Sequence, residues 1–293
     1  MKPIKFVIFG DINKSPNTKD LQDEIKNRGF DCVVLDFENT IFDFSTERLL
    51  VKNGKINLID FDIFLFRSIT GFVREAKILM ERLVFEGKVV VDEGVSRRIA
   101  EGKIFQSSKL QRTGINIPKT FQAHNFKSWK ILLERMKFPI VVKPVKGRCG
   151  YGVTKIEMLK EALDFFERNP CGFLAQEFLK LDSDLRIFVV DNKILGGIKR
   201  HIIAGDFRTN CSLGARSEKI VVTKEMKQLA LGAAKAVGYE VAGVDLVEYK
   251  GKLFVLEVNP SPQWQGFKET TGINPAKAIV ELALEKYKGR NKV

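Results

Sequence analysis

The chain has 293 residues, 44% apolar and 29% charged, with a net charge of +13, a balance that fits a globular protein with two or three cores. It contains no low-complexity tract, heptad run or solenoid repeat, and nothing near the roughly 18 uninterrupted apolar residues of a membrane span. A lysine-rich surface accounts for most of the charge, whose further consequence is a field that draws in anions; nucleic acid is disfavoured, because no basic run is interleaved with stacking aromatics.

In chain order, the opening MKPIKFVIFGDINK is too briefly apolar for a signal-peptide core. Ile4 to Phe9 is apolar except for Lys5, close to what a buried parallel strand should be, and a helix is expected from Thr18 to Arg28, stopped by Gly29. Further strands are expected at Cys32–Phe37, Asp62–Ser68 and Lys88–Asp92, with a helix at Arg74–Phe85 between the last two. This alternation predicts a small open α/β unit over residues 1–95. A helix from Arg97 to Arg112 closes at Gly114, and another covers Phe126 to Met136. Strands at Ile140–Val145 and Val153–Ile156 flank a glycine loop, and a helix follows at Lys160–Arg168. Antiparallel strands are expected at Phe173–Phe178, Leu185–Val190, Lys193–Arg200 and Lys219–Val222, then a long helix at Lys224–Val237 and a final strand pair before the last helix. The second half therefore reads as α+β, divided into 96–172 and 173–293. Cys32, Cys149, Cys171 and Cys211 form no CxxC pair, so they read as free thiols of a cytoplasmic protein.

The segment AGVDLVEYKGKLFVLEVNPSP (242–262) reads as two strands joined near Lys250–Gly251. Alternation places Glu257 and Asn259 on one face. A two-residue turn would send Asp245 to the opposite face, whereas a three-residue loop ending at a left-handed Gly251 brings all three together, and this odd-length loop is expected. Three oxygen-bearing side chains without His or Cys suit Mg²⁺ or Mn²⁺, whose remaining positions are filled by water and nucleotide phosphates. The competing reading is a pair of solvated carboxylates on an exposed sheet face. The glycine loop, with Gly147, Gly150 and Gly152, lacks the ending of a P-loop and no helix opens directly after it. It can still fold backbone N–H groups over phosphates. Lys143 lies within the preceding apolar strand, an expensive place for a cation without an anion; Lys146 and Arg148 ride on the loop.

The ordered motifs Val-Val-Lys-Pro (141–144), the glycine loop, Ala-Gln-Glu-Phe-Leu (175–179), Gly-Asp-Phe-Arg-Thr-Asn (205–210), Gly-Val-Asp-Leu (243–246) and Glu-Val-Asn-Pro-Ser-Pro (257–262) resemble the ATP-grasp fold. More narrowly, the chain resembles the RimK-like amino-acid ligases, among them the ribosomal-protein glutamate ligase, the carrier-protein ligases of lysine and arginine biosynthesis, and the cofactor glutamate ligases of methanogens. The similarity runs from Ile4 to the last helix and is strongest over 139–275, where Thr-Thr-Gly-Ile-Asn (270–274) also fits. The resemblance implies an N-terminal α/β (pre-ATP-grasp) domain followed by an α+β ATP-grasp domain of two subdomains. It implies that Lys143, with Lys103 and Lys146, contacts ATP phosphates, and that Gln176, Glu177 and Phe178 hold adenine. Asp184 would bind ribose, while Arg208 and Asn210 would hold the γ-phosphate and the reacting groups. Asp245, Glu257 and Asn259 would bind two Mg²⁺ or Mn²⁺ ions, and Arg67 and Arg200 would clamp substrate carboxylates together with Asn210.

The implied reaction phosphorylates an acceptor carboxylate with ATP; an amine then displaces phosphate to leave an amide. It needs no protein nucleophile, and His124 and His201 are isolated. The implied partners are an amino acid, glutamate by family weight, and a carboxylate acceptor on a protein C-terminus, carrier protein or small cofactor. Relatives form homodimers or homotetramers, and neither membrane nor nucleic acid is expected. The rival is a non-catalytic nucleotide-binding regulator, or a nucleic-acid binder, on the same fold. The chain departs from the family pattern at Phe178, where tyrosine is frequent, at Cys149 and Tyr151 in the glycine loop, and at Gln263-Trp264-Gln265, where small residues are usual. That last segment borders the acceptor region in relatives and puts the substrate's identity in question.

Overall fold

The structure, a computed structural model, describes residues 3–11, 15–45, 50–67, 69, 71–96, 102–145, 151–202 and 216–290. The chain opens with β1 (Lys5–Phe9), α1 (Pro16–Asn27) and β2 (Asp31–Leu35). Pro16 at the start of α1 and Gly29 at φ 81° beyond its end mark both limits of the helix. Next come β3 (Thr40–Asp43), β4 (Leu50–Asn53) and β5 (Ile56–Asn57), an antiparallel sheet that the sequence reading did not anticipate. β6 (Ile63–Phe66), α2 (Val73–Phe85) and β7 (Val89–Val91) complete the first part. β1, β2, β6 and β7 pair in parallel in the order β2-β1-β6-β7. Phe6 to Phe9 are fully buried because both faces of this sheet are covered, which explains their unbroken apolar run. Leu21 and Ile25 of α1 pack on one face, and Ala76, Leu79, Met80 and Leu83 of α2 on the other.

The middle of the chain holds α3 (Glu93–Ser96), α4 (Lys103–Arg112), β8 (Thr120–Phe121), α5 (Phe126–Leu133), β9 (Ile140–Pro144), β10 (Thr154–Ile156), α6 (Leu159–Arg168) and β11 (Phe173–Glu177). α4 is described from Lys103, residues 97–101 of the expected helix lying outside the described residues. The strands form an antiparallel sheet in the order β10-β9-β11-β8. α5 and α6 cover it through Trp129 stacked on Phe166. Because β11 is bonded to β9 and β8, this sheet extends to Glu177, past the division expected at 172.

The last part comprises β12 (Ser183–Val190), β13 (Lys193–His201), β14 (Ser217–Ile220), α7 (Lys224–Val237), β15 (Val241–Tyr249), β16 (Lys252–Asn259), α8 (Gln265–Thr271) and α9 (Pro275–Arg290). Its five strands are antiparallel in the order β14-β13-β12-β15-β16. Thr223 caps α7 by accepting from the Met226 N–H, and Gly238, left-handed at φ 71°, ends it. Ala230, Ala233, Ala234 and Val237 of α7 pack on Val244, Leu246, Val255 and Val258. On the opposite face Phe188 meets Trp264, Phe267 and α9, and this core is continuous with Phe6 and Ile8 of the parallel sheet.

The β15–β16 hairpin corrects one expectation. Tyr249 pairs with Lys252, so the turn is the two-residue Lys250–Gly251, with both residues at positive φ (52° and 71°), rather than a three-residue loop. The parity change occurs within the ladder instead. Leu246 pairs with Val255 but Asp245 pairs with Glu257, so Leu256 is the extra residue of a bulge. Asp245, Glu257 and Asn259 therefore share one face, as expected, by a different device.

Candidate active site

A cleft of about 430 Å³, open to solvent, lies between the four-stranded antiparallel sheet, α4 and β16. Lys103, Gln106, Lys143, Gln176 and Glu257 contribute its polar lining, and Leu110, Leu174 and Val255 part of its apolar wall. The Lys143 Nζ donates to Gln176 Oε1 at 2.6 Å, and Gln176 Nε2 donates to Thr120 Oγ1 at 2.9 Å. Burial pushes the Lys143 ammonium down to about 8 from an ordinary 10.5; Glu257 opposes the shift, and the like charge of Lys103 adds to it. Two cations, Lys143 and Lys103, converge on one cleft, and phosphate oxygens are a kind of anion that fits them.

Behind the cleft, on the Glu257 side, lies a compact ionic network. Arg186 binds Asp245 through two bonds of 2.7 Å, from Nε and Nη2. Arg200 binds Asp184 in the same bidentate manner and reaches Asp245 Oδ1 at 3.1 Å. Burial alone would raise the Asp245 carboxyl, but the guanidinium groups of Arg186 and Arg200 outweigh it and hold the carboxyl below its usual range. Asn259 Nδ2 lies 3.2 Å from Asp245 Oδ2. Gly243, opposite Asn259, allows this crowding, since a Cβ there would stand 2.9 Å from Pro262 and 3.6 Å from Arg186. Two carboxylates and an amide on adjacent strands form an oxygen donor set of the kind hard divalent cations select. The residues fit such a cation provided that Asp245 is shared with, or released from, both Arg186 and Arg200.

A third group joins α1 to the segment after β16. Asp20 accepts bonds from Trp264 Nε1 (2.9 Å), Gln265 Nε2 (2.9 Å) and Lys268 Nζ (2.6 Å), while Asn17 bonds to both Gln263 and Gln265. Burial would raise the Asp20 carboxyl, and the bonds from Lys268, Trp264 and Gln265 bring it below its ordinary value instead. Trp264 is fully buried. The Arg67 guanidinium lies 4.5 Å above its ring and donates to Pro262 O at 2.8 Å, while its Nε has no hydrogen-bond partner among the described residues. Burial lowers Arg67 to about 10, with Asp92 opposing the shift.

Of the residues singled out from sequence, Lys103, Lys143, Gln176 and Glu257 meet in one cleft. Asp245 and Asn259 stand beside Glu257 on the same sheet face. Glu177 ends β11, where its N–H donates to Lys119 O at 2.9 Å and its side chain accepts from the Lys119 N–H. Phe178 carries Lys155 4.5 Å above its ring. Asp184 and Arg200 are paired with each other and buried. Arg67 stands apart from the cleft, beside Trp264. Lys146, Arg208 and Asn210 lie outside the described residues. Sequence reasoning missed Arg186, although the Ser-Asp-Leu-Arg spacing puts it on the face of Asp184; it also missed Gln106 and Asp20.

A profile of the RimK-like ATP-grasp domain matches residues 100–283. A probable alpha-L-glutamate ligase of Picosynechococcus is 30% identical over 291 residues, covering 97% of this chain and 96% of its own. Another, from Marinobacter nauticus, is 30% identical over 278 residues, covering 93% and 92%. Among solved structures, the ATP-grasp ligase PsnB complexed with minimal precursor superposes with a TM-score of 0.73 at 20% identity, over 98% of this chain and 99% of that one. A RimK domain protein of Sphaerobacter thermophilus superposes with 0.69 at 17% identity, over 96% and 99%. These superpositions establish the fold as ATP-grasp. The chain belongs to the RimK-like ATP-grasp family. It is thus an ATP-dependent ligase, of a family that uses ATP and Mg²⁺.

Proposed function

We propose that the protein joins the amino group of glutamate, or of a related amino acid, to a carboxylate of a protein, carrier or small cofactor, with ATP as phosphoryl donor. The observation that carries this reading is the cleft in which Lys143 and Lys103 face Glu257 beside a bulged strand pair presenting Asp245 and Asn259. Relatives named for glutamate ligation support the amino acid. Phosphate oxygens would lie against Lys143 and Lys103, with Lys146 also assigned to them, and the adenine against Gln176, Glu177 and Phe178. Ribose is assigned to Asp184, which requires its pairing with Arg200 to open; Arg200 and Arg67 then serve substrate carboxylates. Asp245, Glu257 and Asn259 would hold Mg²⁺ or Mn²⁺, in a site for two ions, which would supply neutralising charge for phosphoryl transfer. Arg208 and Asn210 are assigned to that group and to the reacting atoms.

The chemistry asks the protein for position and charge rather than a nucleophile. Phosphoryl transfer to the acceptor carboxylate makes phosphate the leaving group; attack by the amine nitrogen forms the amide bond as the carbon–oxygen bond to phosphate breaks. Exclusion of water while the acyl phosphate persists protects it from hydrolysis. We place the divisions of the chain near residue 95 and after β11, where one hydrogen-bonded sheet ends and the next begins. The unpaired Cys32 and Cys171 support a cytoplasmic setting; a homodimer or homotetramer is the assembly proposed by analogy with the family.

The test is a screen for ADP formation with Mg²⁺, each amino acid in turn and a panel of carboxylate acceptors. Glutamate-dependent ADP release, with mass gain on an acceptor, is the expected outcome. Folded protein that releases no ADP with any pair, or whose turnover survives both Arg208→Ala and Glu257→Gln, would refute the assignment.

A further inference from the structure

β16 is the outer strand of its sheet, and an outer strand exposes a row of backbone N–H and C=O groups unless something covers them. Asn116 covers the first stretch: its carbonyl accepts from the Val255 N–H at 2.8 Å, and its amide lies 3.4 Å from Leu253 O. Beyond the bulge, Gln106 of α4 takes over. Its Nε2 donates to Val258 O at 2.8 Å, and its Oε1 accepts from the Val258 N–H at 3.1 Å. The side-chain amide thus makes the pair of bonds that one residue of a neighbouring strand would make. The residue it grips lies between Glu257 and Asn259.

That grip falls where the register is decided. If the pairing of Leu246 with Val255 continued without the extra Leu256, Asp245 would face Leu256. Glu257 and Asn259 would then turn toward α7, into the core of Val255, Val258 and Ala230. A slip of one residue reverses every side chain beyond it. The apolar core opposes the slip on one face and the Gln106 bonds oppose it along the edge. Gln106 and Lys103 stand one helical turn apart on α4 and line the same cleft, so the same contact ties a phosphate-facing lysine to the strand that presents Glu257.

We propose that Gln106 is a positioning residue of the cation site, one that holds Glu257 and Asn259 in the bulged register and sets their distance from Lys103. The inference rests on the reading of Asp245, Glu257 and Asn259 as cation ligands. Groups that orient metal ligands without touching the metal are typically worth about 10- to 100-fold in metal affinity.

The test compares wild type, Gln106→Met and Gln106→Glu by paramagnetic titration of Mn²⁺ at saturating ADP, and by titration of ADP alone. Gln106→Met keeps the length of the side chain and removes both bonds; Gln106→Glu keeps the acceptor for the Val258 N–H and loses the donor. The expected result is Mn²⁺ affinity about tenfold weaker in Gln106→Met and intermediate in Gln106→Glu, with a clearly smaller loss of ADP binding in the absence of metal. Hydrogen exchange should show faster exchange at the Val258 amide in Gln106→Met while the amides of α7 keep their protection. Equal Mn²⁺ affinity in all three proteins would overturn the proposal and leave the nucleotide site standing; equal loss of ADP alone would assign Gln106 a general structural role and also overturn it. Failure of the wild type to bind Mn²⁺ with ADP would instead remove the cation reading on which the proposal rests.

Discussion

Replacing Lys143 by methionine should stabilise the protein while removing its affinity for nucleotide. The ammonium is pushed from 10.5 to about 8 by burial, so at pH 7 the folded state carries it at a cost of about 3 kcal/mol relative to the unfolded chain. Methionine removes that cost and gives up the bond to Gln176, worth about 1–3 kcal/mol for a charged donor. A net gain of roughly 1 kcal/mol at pH 7 follows. The pH dependence identifies its origin. Between the folded value near 8 and the unfolded value of 10.5, the unfolded chain holds a proton that the folded protein has lost, so wild-type stability rises with pH across that window. The wild-type penalty is fully present below pH 8 and fades toward pH 10.5, and the advantage of Lys143→Met should fade with it. Urea denaturation at pH 7 and pH 10, read by tryptophan fluorescence, measures this difference, and calorimetric titration of ADP measures the loss of binding. A variant less stable than wild type at pH 7, or an advantage that persists unchanged at pH 10, would refute the reasoning.

Glu257→Gln should leave urea stability within about 1 kcal/mol of wild type while lowering Mg²⁺-dependent ADP formation by about 10²–10³, as steady-state kinetics would show. Asp245→Ala should behave differently: it strands the Arg186 guanidinium that two 2.7 Å bonds now hold, and urea denaturation should report a loss of about 3–5 kcal/mol. Trp264→Phe should cost about 1–2 kcal/mol through the lost bond to Asp20, whereas Trp264→Ala should cost about 3–5 kcal/mol by opening a cavity beneath Arg67. Thermal scans of the two variants should separate these effects by several degrees.

The parts of the fold that were legible from sequence are those whose periodicity is long or whose burial is two-sided. α7 matches its expected limits at Lys224 and Val237, because its alanine face, Thr223 cap and Gly238 stop all agree. The parallel strands were legible because Phe6–Phe9 and Val89–Val91 are apolar on both faces. β3, β4 and β5 were missed: they span two to four residues each, too short for alternation to register. α8 was missed for a similar reason, being seven residues long with a single fully packed position at Phe267. The gathering of Asp245, Glu257 and Asn259 on one face was legible, but its cause was not, since an odd-length loop and a mid-strand bulge produce the same parity. Arg186 escaped because a bidentate partner can be assigned only when the neighbouring strand and its register are known; Asp245 stands opposite it across β12 and β15. Gln106 and Asp20 act across more than 150 and 240 positions of chain respectively, and no local pattern announces such contacts.

The family match begins at residue 100, yet Phe6, Ile8, Phe188, Trp264 and Ala283 belong to a single apolar cluster. Lys286 and Arg290 of the final helix add bonds to Val90 O, Lys88 O and Glu93. A fragment trimmed to the matched region, 100–283, would therefore be born with an oily flank facing water, and without Lys286 and Arg290, which anchor the final helix to the first sheet. Such a fragment should clump during expression, and adding residues 1–99 as a separate polypeptide should restore it to the supernatant. Dissecting this ligase will go better by altering side chains in place than by cutting it.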